Sequence, residues 1–130
     1  MSTELIVAGA IVALSGFWLV GLASISAFAP ATASRFLSGF AASARAHYLE
    51  QALRIIAGTG FILFAPEMRF PLFFQIAGWI LVITSLGLLA LPWQLHNRFA
   101  AWAVPFATRH LKLYALGAAL LAGFIFYAML

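Results

Sequence analysis

The sequence predicts an all-α integral membrane four-helix bundle made of two tandem helical hairpins. Its composition argues against a soluble domain: 65% of the 130 residues are hydrophobic and 8% are charged, against roughly 45–50% and about 25% in soluble domains. Four apolar runs are long enough to cross a bilayer, and proline or basic residues separate them. The second half of the chain repeats the first. These observations predict one transmembrane domain, residues 1–130.

The first span is predicted at residues 5–29, which carry no charge after Glu4. About twenty-five residues are enough to cross a ~30 Å hydrocarbon core with some tilt. Ser2 or Thr3 can cap its N-terminus, where the Glu4 carboxylate suits the positive end of the helix dipole. No Lys or Arg precedes the run, and Pro30 would follow a cleavage site at its end, so we expect a retained helix and not a signal peptide.

The other spans begin and end at recognisable breaks. Pro30 and Pro92 end the first and third spans, because proline cannot continue helical hydrogen bonding. Pro71 suits the first position of a new helix. The remaining spans are predicted at about residues 47–64, 71–91 and 109–128.

The two hairpins align when the chain is shifted by about sixty-three positions, which places His47 on His110. The repeats cover about residues 5–65 and 71–129, and regular repeats are a strong signal of architecture. Because each hairpin enters and leaves the bilayer on the same side, we expect a pseudo-twofold axis along the membrane normal.

Both long connections combine basic and aromatic residues, which favour the headgroup level. The first, residues 30–46, is predicted to hold a short amphipathic segment around Arg35 and Phe40; the second, residues 93–108, repeats this composition with His96 in a loop. The residues predicted to contact headgroups or the interface are Arg35, Arg45, Trp93, Arg98, Trp102, Arg109 and Lys112. Because the basic residues lie between apolar runs, the net charge of +4 predicts lipid contacts and no nucleic-acid partner.

The distribution of charge also orients the spans. The turn between the second and third spans carries Arg69 together with Glu67, whereas the long connections carry most of the basic residues. By the positive-inside rule the connections face the cytoplasm, and both termini lie on the opposite, periplasmic side.

Small residues predict where helices approach closely. The first span carries Gly9, Ala13 and Gly16, and the fourth carries two pairs, Ala118 with Ala122 and Ala119 with Gly123. The alternative is composition alone, since small residues are common in membrane helices.

One face of the second span is polar. His47, Glu50, Gln51 and Arg54 are spaced by three and four positions, and Glu50 precedes Arg54 by four, the favourable order for a helical ion pair. An ionisable side chain at this depth is a functional candidate, whereas snorkelling or the local ion pair would make it structural. The repeat places Arg54 on Gly117, which predicts that Gly117 leaves room for the arginine.

The polar face and the start of the fourth span form a candidate ligand or partner site, made of His47, Glu50, Arg54, His110 and Tyr114. Because the repeat places His47 on His110, we expect the two histidines to lie at equal depth in the membrane, an arrangement that could hold a bis-histidine haem. The alternative is that both are ordinary polar residues of the membrane interface. No short-spaced ligand motif predicts a metal site, and the lack of cysteine excludes thiolate chemistry. No catalytic residue is predicted, because Asp, glycine-rich phosphate loops and nucleophile elbows are all absent from the sequence.

Residues 87–93, followed by residues 109–127, resemble a family of small two-helix bacterial inner-membrane proteins with no established activity. In that family a span ending in proline and an aromatic residue is followed by a short amphipathic connection and a basic start to a glycine-containing second span. The resemblance implies a hairpin fold in a bacterial inner (cytoplasmic) membrane. This chain differs because two hairpins are fused, and no functional residue is carried over.

Two classes of function remain. The preferred one is a non-catalytic accessory or assembly subunit that contacts lipid and other transmembrane subunits, because such an apolar chain offers few other surfaces. The alternative is a bundle that binds haem, quinone, pigment or lipid at the polar residues; the sequence leaves the cofactor unknown. A transporter is disfavoured because the middle of each span offers only isolated Ser and Thr.

Overall fold

The computed structural model describes residues 1–39 and 43–130, and within them the chain is helical almost throughout. Its elements are α1 (Thr3–Phe28), α2 (Pro30–Gly39), α3 (Ala44–Phe64), a 3₁₀ turn (Ala65–Glu67), α4 (Pro71–Ala90), α5 (Trp93–Arg109) and α6 (Leu111–Met129). Helices α1, α3, α4 and α6 are long and apolar enough to cross a membrane. The four predicted spans are therefore confirmed as helices of spanning character; Phe40, predicted in an interfacial segment, lies outside the described residues.

Local signals set the helix ends. The Ser2 hydroxyl caps α1 by accepting a hydrogen bond from the Leu5 N–H at 3.3 Å, and Ser43 caps α3 by accepting one from Ala46 at 3.1 Å. Helices α2 and α4 begin with proline, where the missing N–H costs little because first-turn N–H groups have no partner inside the helix.

The four long helices pack as a row in the order α4, α3, α1, α6. Neighbours in the row run antiparallel, so one end of the row carries the short turn between α3 and α4, and the other end carries α2 and α5. We call these the turn end and the connection end. The last long helix thus packs against the first, and the two helices of the second predicted hairpin, α4 and α6, are not neighbours along their length. The tandem repeat and its twofold axis stay predictions.

Aromatic rings form the core at the turn end. Phe61 of α3 stacks on Phe74 of α4 with 5.8 Å between ring centroids, and Phe124 of α6 lies 5.2 Å from Phe74. The Arg69 N–H donates a hydrogen bond to the Ala128 carbonyl at 2.8 Å. These contacts join the two edge helices of the row, α4 and α6, at this end.

Phe70, between the turn and α4, has a φ of 59° and is the non-glycine residue with positive φ in the described chain. The left-handed conformation costs an L-residue roughly 1–2 kcal/mol. The Phe70 ring packs 5.4 Å from that of Phe124, and this contact offsets part of the conformational cost.

Glycines allow the closest helix approaches. A Cβ atom added to Gly78 of α4 would lie 2.7 Å from the Gly58 carbonyl oxygen of α3, and one added to Gly58 would lie 2.8 Å from the Gly78 carbonyl. Between α1 and α3, a Cβ atom on Gly60 would lie 2.5 Å from Ile11 Cγ2. Backbones this close increase dispersion contacts, which drive helix association in lipid.

The predicted small-residue faces are partly correct. Gly9 lies against the Phe64 ring and Gly16 against the Phe126 ring, while Ala118 and Ala122 are buried. The second pair on the fourth span was wrong: Ala119 is exposed, and nothing lies within 4 Å of a Cβ atom placed on Gly123. That pair faces an open cleft between α1 and α6.

Replacing Gly78 by valine is expected to lower the free energy of unfolding by roughly 1–3 kcal/mol, the usual cost of overpacking. The reason is that the nearest atom belongs to the Gly58 backbone, which cannot rotate away. Unfolding of the purified protein in micelles, followed by circular dichroism, measures the change. Gly87→Val is the matched control, since a Cβ atom there meets nothing within 4 Å. Equal stability of the two variants would contradict the close crossing of α3 and α4.

Candidate functional site

Polar side chains from three helices meet near the connection end of the row. Helical spacing of three and four places the α3 residues on one face, and α4 and α5 supply the rest. We call this group the polar cluster: His47, Glu50, Gln51, Arg54, Thr84, Ser85 and His96.

Arg54 joins α3 to α4. Its Nε donates to Ser85 Oγ at 3.0 Å, and its Nη2 donates to Thr84 Oγ1 at 2.8 Å. Both hydroxyls donate to carbonyls one turn back on α4, the Ser85 hydroxyl to Leu81 at 2.6 Å, so their lone pairs are directed at the guanidinium. Nη1 lies 3.9 Å from Glu50 Oε1. The ion pair expected from the sequence is therefore present, and hydroxyls from the next helix complete the arginine's surroundings.

The predicted proximity of Arg54 to Gly117 was wrong. Nothing lies within 4 Å of a Cβ atom placed on Gly117, and the guanidinium is bound on α4. The helix order explains the error, because α3 packs between α4 and α1 whereas α6 lies on the far side of α1.

A histidine pair joins α3 to α5. The Nδ1 atoms of His47 and His96 are 2.7 Å apart, so one of them carries the hydrogen and donates while the other accepts. His47 is fully buried, and His96 Nε2 lies 4.0 Å from Glu50 Oε2. The prediction of a loop around His96 was wrong, since α5 begins at Trp93 directly after Pro92.

Helix α5 is amphipathic in the structure. Its half-buried positions recur every three to four residues, at 93, 96, 97, 100, 103, 104, 107 and 108, which is the pattern of an amphipathic helix. Phe99, Trp102 and Phe106 stack along its exposed face, with centroids 6.1 Å and 5.8 Å apart. The spacing of Phe99, Trp102 and Phe106 by three and four positions is a helical signal that the sequence alone contains.

Several buried atoms of the polar cluster have no hydrogen-bond partner among the described residues. They are His47 Nε2, Glu50 Oε2 and both side-chain polar atoms of Gln51, and Gln51 is fully buried. An unmade buried hydrogen bond costs about 1–3 kcal/mol, and the bilayer interior supplies little water to replace it. The cluster therefore retains capacity to bind water or a small polar group through the Gln51 amide and His47 Nε2.

The other two predicted ligand residues do not join this cluster. His110 is exposed at the junction of α5 and α6, and Tyr114 packs with Leu37 and Leu111 near α2. The structure pairs His47 with His96 and not with His110, and the equal depth of His47 and His110 stays a prediction. Across residues 1–39 and 43–130, no three His, Asp or Glu side chains converge to hold a metal ion.

The predicted interfacial residues lie outside the polar cluster. Arg35, Arg45, Arg98, Trp102, Arg109 and Lys112 are exposed, and Trp93 is half-buried. Their exposure suits contact with headgroups, which stays a prediction.

Comparison of the chain with protein-family models, with curated proteins and with solved structures finds no match. The resemblance to two-helix inner-membrane proteins stays a prediction. The fold and the composition of its helices define the class: an all-helical protein with four helices suited to span a membrane.

Replacing His96 by asparagine is expected to flatten the pH dependence of stability. Burial lowers the pKa of His96 below its usual 6.5; Glu50 opposes this shift, and His47 and Arg54 add to it. Below pH 6.5 the unfolded chain then binds a proton that the folded protein does not, so stability falls as the pH falls from 6.5 through the lowered pKa. Unfolding in micelles between about pH 7.5 and 5 measures how the free energy of unfolding changes with pH. This slope is set by the number of protons that the chain binds when it unfolds.

The matched control for this slope is His110→Asn, since His110 is exposed. The control should keep the slope of the unchanged protein. A slope that survives His96→Asn, or disappears in the control, would contradict the assignment to His96.

Proposed function

We propose that the protein is a non-catalytic four-span integral membrane subunit that acts through helix contacts within the bilayer, as an accessory or assembly component of a larger membrane complex. The observation that carries this proposal is the small buried share of the spanning helices. In the most apolar stretch of each spanning helix, between 17% and 33% of the residues are buried. Most of each helix is thus available to lipid or to other transmembrane helices.

The edge helix α4 illustrates this availability. Its buried residues, Phe74, Gly78 and Ser85, form one stripe against α3, and large apolar side chains such as Trp79, Ile80 and Ile83 are exposed. Lipid tails are as apolar as these side chains, so a partner helix gains by close packing and not by removing them from water. Away from the turn end, where α4 and α6 are in contact, both edge helices offer such packing surfaces.

The contacts within the polar cluster support a structural role for its charged residues. Arg54 is bound to Glu50, Thr84 and Ser85, so its charge is compensated within the chain. This arrangement links α3 to α4. It supports a structural role for Arg54.

We further propose that the protein lies in a bacterial inner membrane with its connection end in the cytoplasm and both termini in the periplasm. The exposed cations Arg35, Arg45, Arg98, Arg109 and Lys112 support this orientation under the positive-inside rule. At the turn end, the Arg69 guanidinium lies 5.2 Å from the centre of the Tyr127 ring, so this cation is engaged by the protein itself. The tandem-hairpin origin of the four spans belongs to the same proposal.

Cysteine labelling tests the orientation, because the natural chain contains no cysteine. Glu67→Cys and Arg98→Cys are a matched pair, since both positions are exposed and lie at opposite ends of the row. A membrane-impermeant maleimide added to spheroplasts is expected to label position 67, and to label position 98 only after lysis. The reverse pattern would contradict the proposed orientation.

Native purification tests the subunit function. Extraction in a mild detergent is expected to yield a stoichiometric larger membrane protein and no absorption band in the visible range. A Soret band, or a stoichiometric small molecule other than a phospholipid without a protein partner, would overturn the proposal.

A second candidate function is binding of a small polar ligand at the polar cluster, favoured by the unpartnered Gln51 and His47 atoms. The variant Gln51→Leu separates the two functions. If the cluster is structural, removing a buried unpaired amide leaves stability unchanged or raises it, and partner binding persists. Loss of a co-purified small molecule from a folded Gln51→Leu protein would favour the second candidate.

A further inference from the structure

A cleft of about 590 Å³ lies between α1 and α6. It occupies the half of this helix pair that is nearer the connection end. Its walls include Ala23 and Ala27 of α1 and Ala119 and Gly123 of α6, and Lys112 lines it at the start of α6. At the deep end lies Phe126, whose ring centroid is 5.0 Å from that of Phe17. The cleft is therefore a groove that has a cation at one end and an aromatic pair at the other.

The side-chain sizes explain why this groove stays open. Toward the turn end, α1 and α6 pack tightly: the Phe126 ring fills the space over Gly16, and Ile125 and Ala128 are buried. Toward the connection end, alanine and glycine face each other, and nothing lies within 4 Å of a Cβ atom on Gly123.

The length of the groove matches one leaflet of a bilayer. Lys112 and Gly123 are eleven residues apart on a continuous helix, which is about 16 Å at the helical rise of ~1.5 Å per residue. Half of a hydrocarbon core ~30 Å thick is about 15 Å. With Lys112 at the headgroup boundary, the groove reaches the middle of the membrane.

The lining of the groove suits a flexible hydrocarbon chain. Half of the lining residues are alanine or glycine, while the larger Phe28, Leu116 and Phe126 side chains also line it. A lipid tail can adjust its torsions to such an uneven apolar surface.

The chemistry of the lining points to a lipid with an anionic headgroup. Ser24, a polar residue of the wall, donates its hydroxyl hydrogen to the Val20 carbonyl at 2.8 Å, so the interior offers no free donor there. The Lys112 side chain is exposed, and no carboxylate of the described chain forms an ion pair with it. An ammonium next to the acyl groove is complementary to a phosphate at the membrane surface.

We propose that the α1–α6 cleft binds one acyl chain of an anionic phospholipid from the leaflet at the connection end, with the headgroup phosphate at the Lys112 ammonium. This site is separate from the polar cluster and does not depend on the proposed subunit function.

Native mass spectrometry of the full chain, reconstituted in phosphatidylcholine vesicles containing a minority of phosphatidylglycerol, tests the proposal. The unchanged protein is expected to retain one phosphatidylglycerol after mild extraction. Gly123→Leu should lose it, because the new side chain projects into the groove. Gly117→Leu is the matched control and should retain it, since Gly117 is equally open but does not line the cleft.

Lys112→Gln tests the headgroup contact on a surface position that leaves the fold intact. Its preference for phosphatidylglycerol over phosphatidylcholine should fall about five-fold, the contribution expected of one lysine near an anionic surface. Retention of the lipid by Gly123→Leu, equal retention of both lipids by the unchanged protein, or loss of a bound polypeptide instead of a lipid from Gly123→Leu would each overturn the proposal.

Discussion

Close approach between helix backbones is the constraint on which this structure depends. Inside a bilayer, apolar side chains gain little by leaving lipid for protein, so helices associate through dispersion contacts that need short distances. The crossing of α3 and α4 meets this need with glycine against glycine at Gly58 and Gly78, and the α1–α6 contact meets it with a phenylalanine ring over Gly16. Without these small residues the helices would stand apart and lipid would enter between them.

Different kinds of contact hold the helices together at the two ends of the row. At the turn end, stacked aromatic rings and a backbone hydrogen bond from Arg69 tie together helices that are distant in the row. At the connection end, the joints are polar: Arg54 reaches α4 and the histidine pair reaches α5. The strength of a hydrogen bond depends steeply on its geometry, and the joint to α5 also includes the ionisable His96, whereas the phenylalanine rings carry no ionisable group. The dependence of stability on pH is therefore expected to arise mainly at the connection end.

The sequence predicted the spans and the local features of the site because those depend on neighbouring residues. Hydropathy over about twenty residues located the helices, and spacing by four located the Glu50–Arg54 pair. Helix order depends on which surfaces meet in space, and the internal repeat led to the wrong neighbour for Arg54. His96 was missed for a related reason, since its role becomes visible only when α5 lies over the start of α3.

The position of α6 beside α1 has a consequence for biosynthesis. The face of α1 that carries Gly16 is covered by a ring from α6, yet α6 is synthesised after the other described helices. Until then that glycine face stays open to lipid or to an insertion factor, while α3 and α4 can already pair. Helix α6 thus packs against α1 only after α3 and α4 have been synthesised.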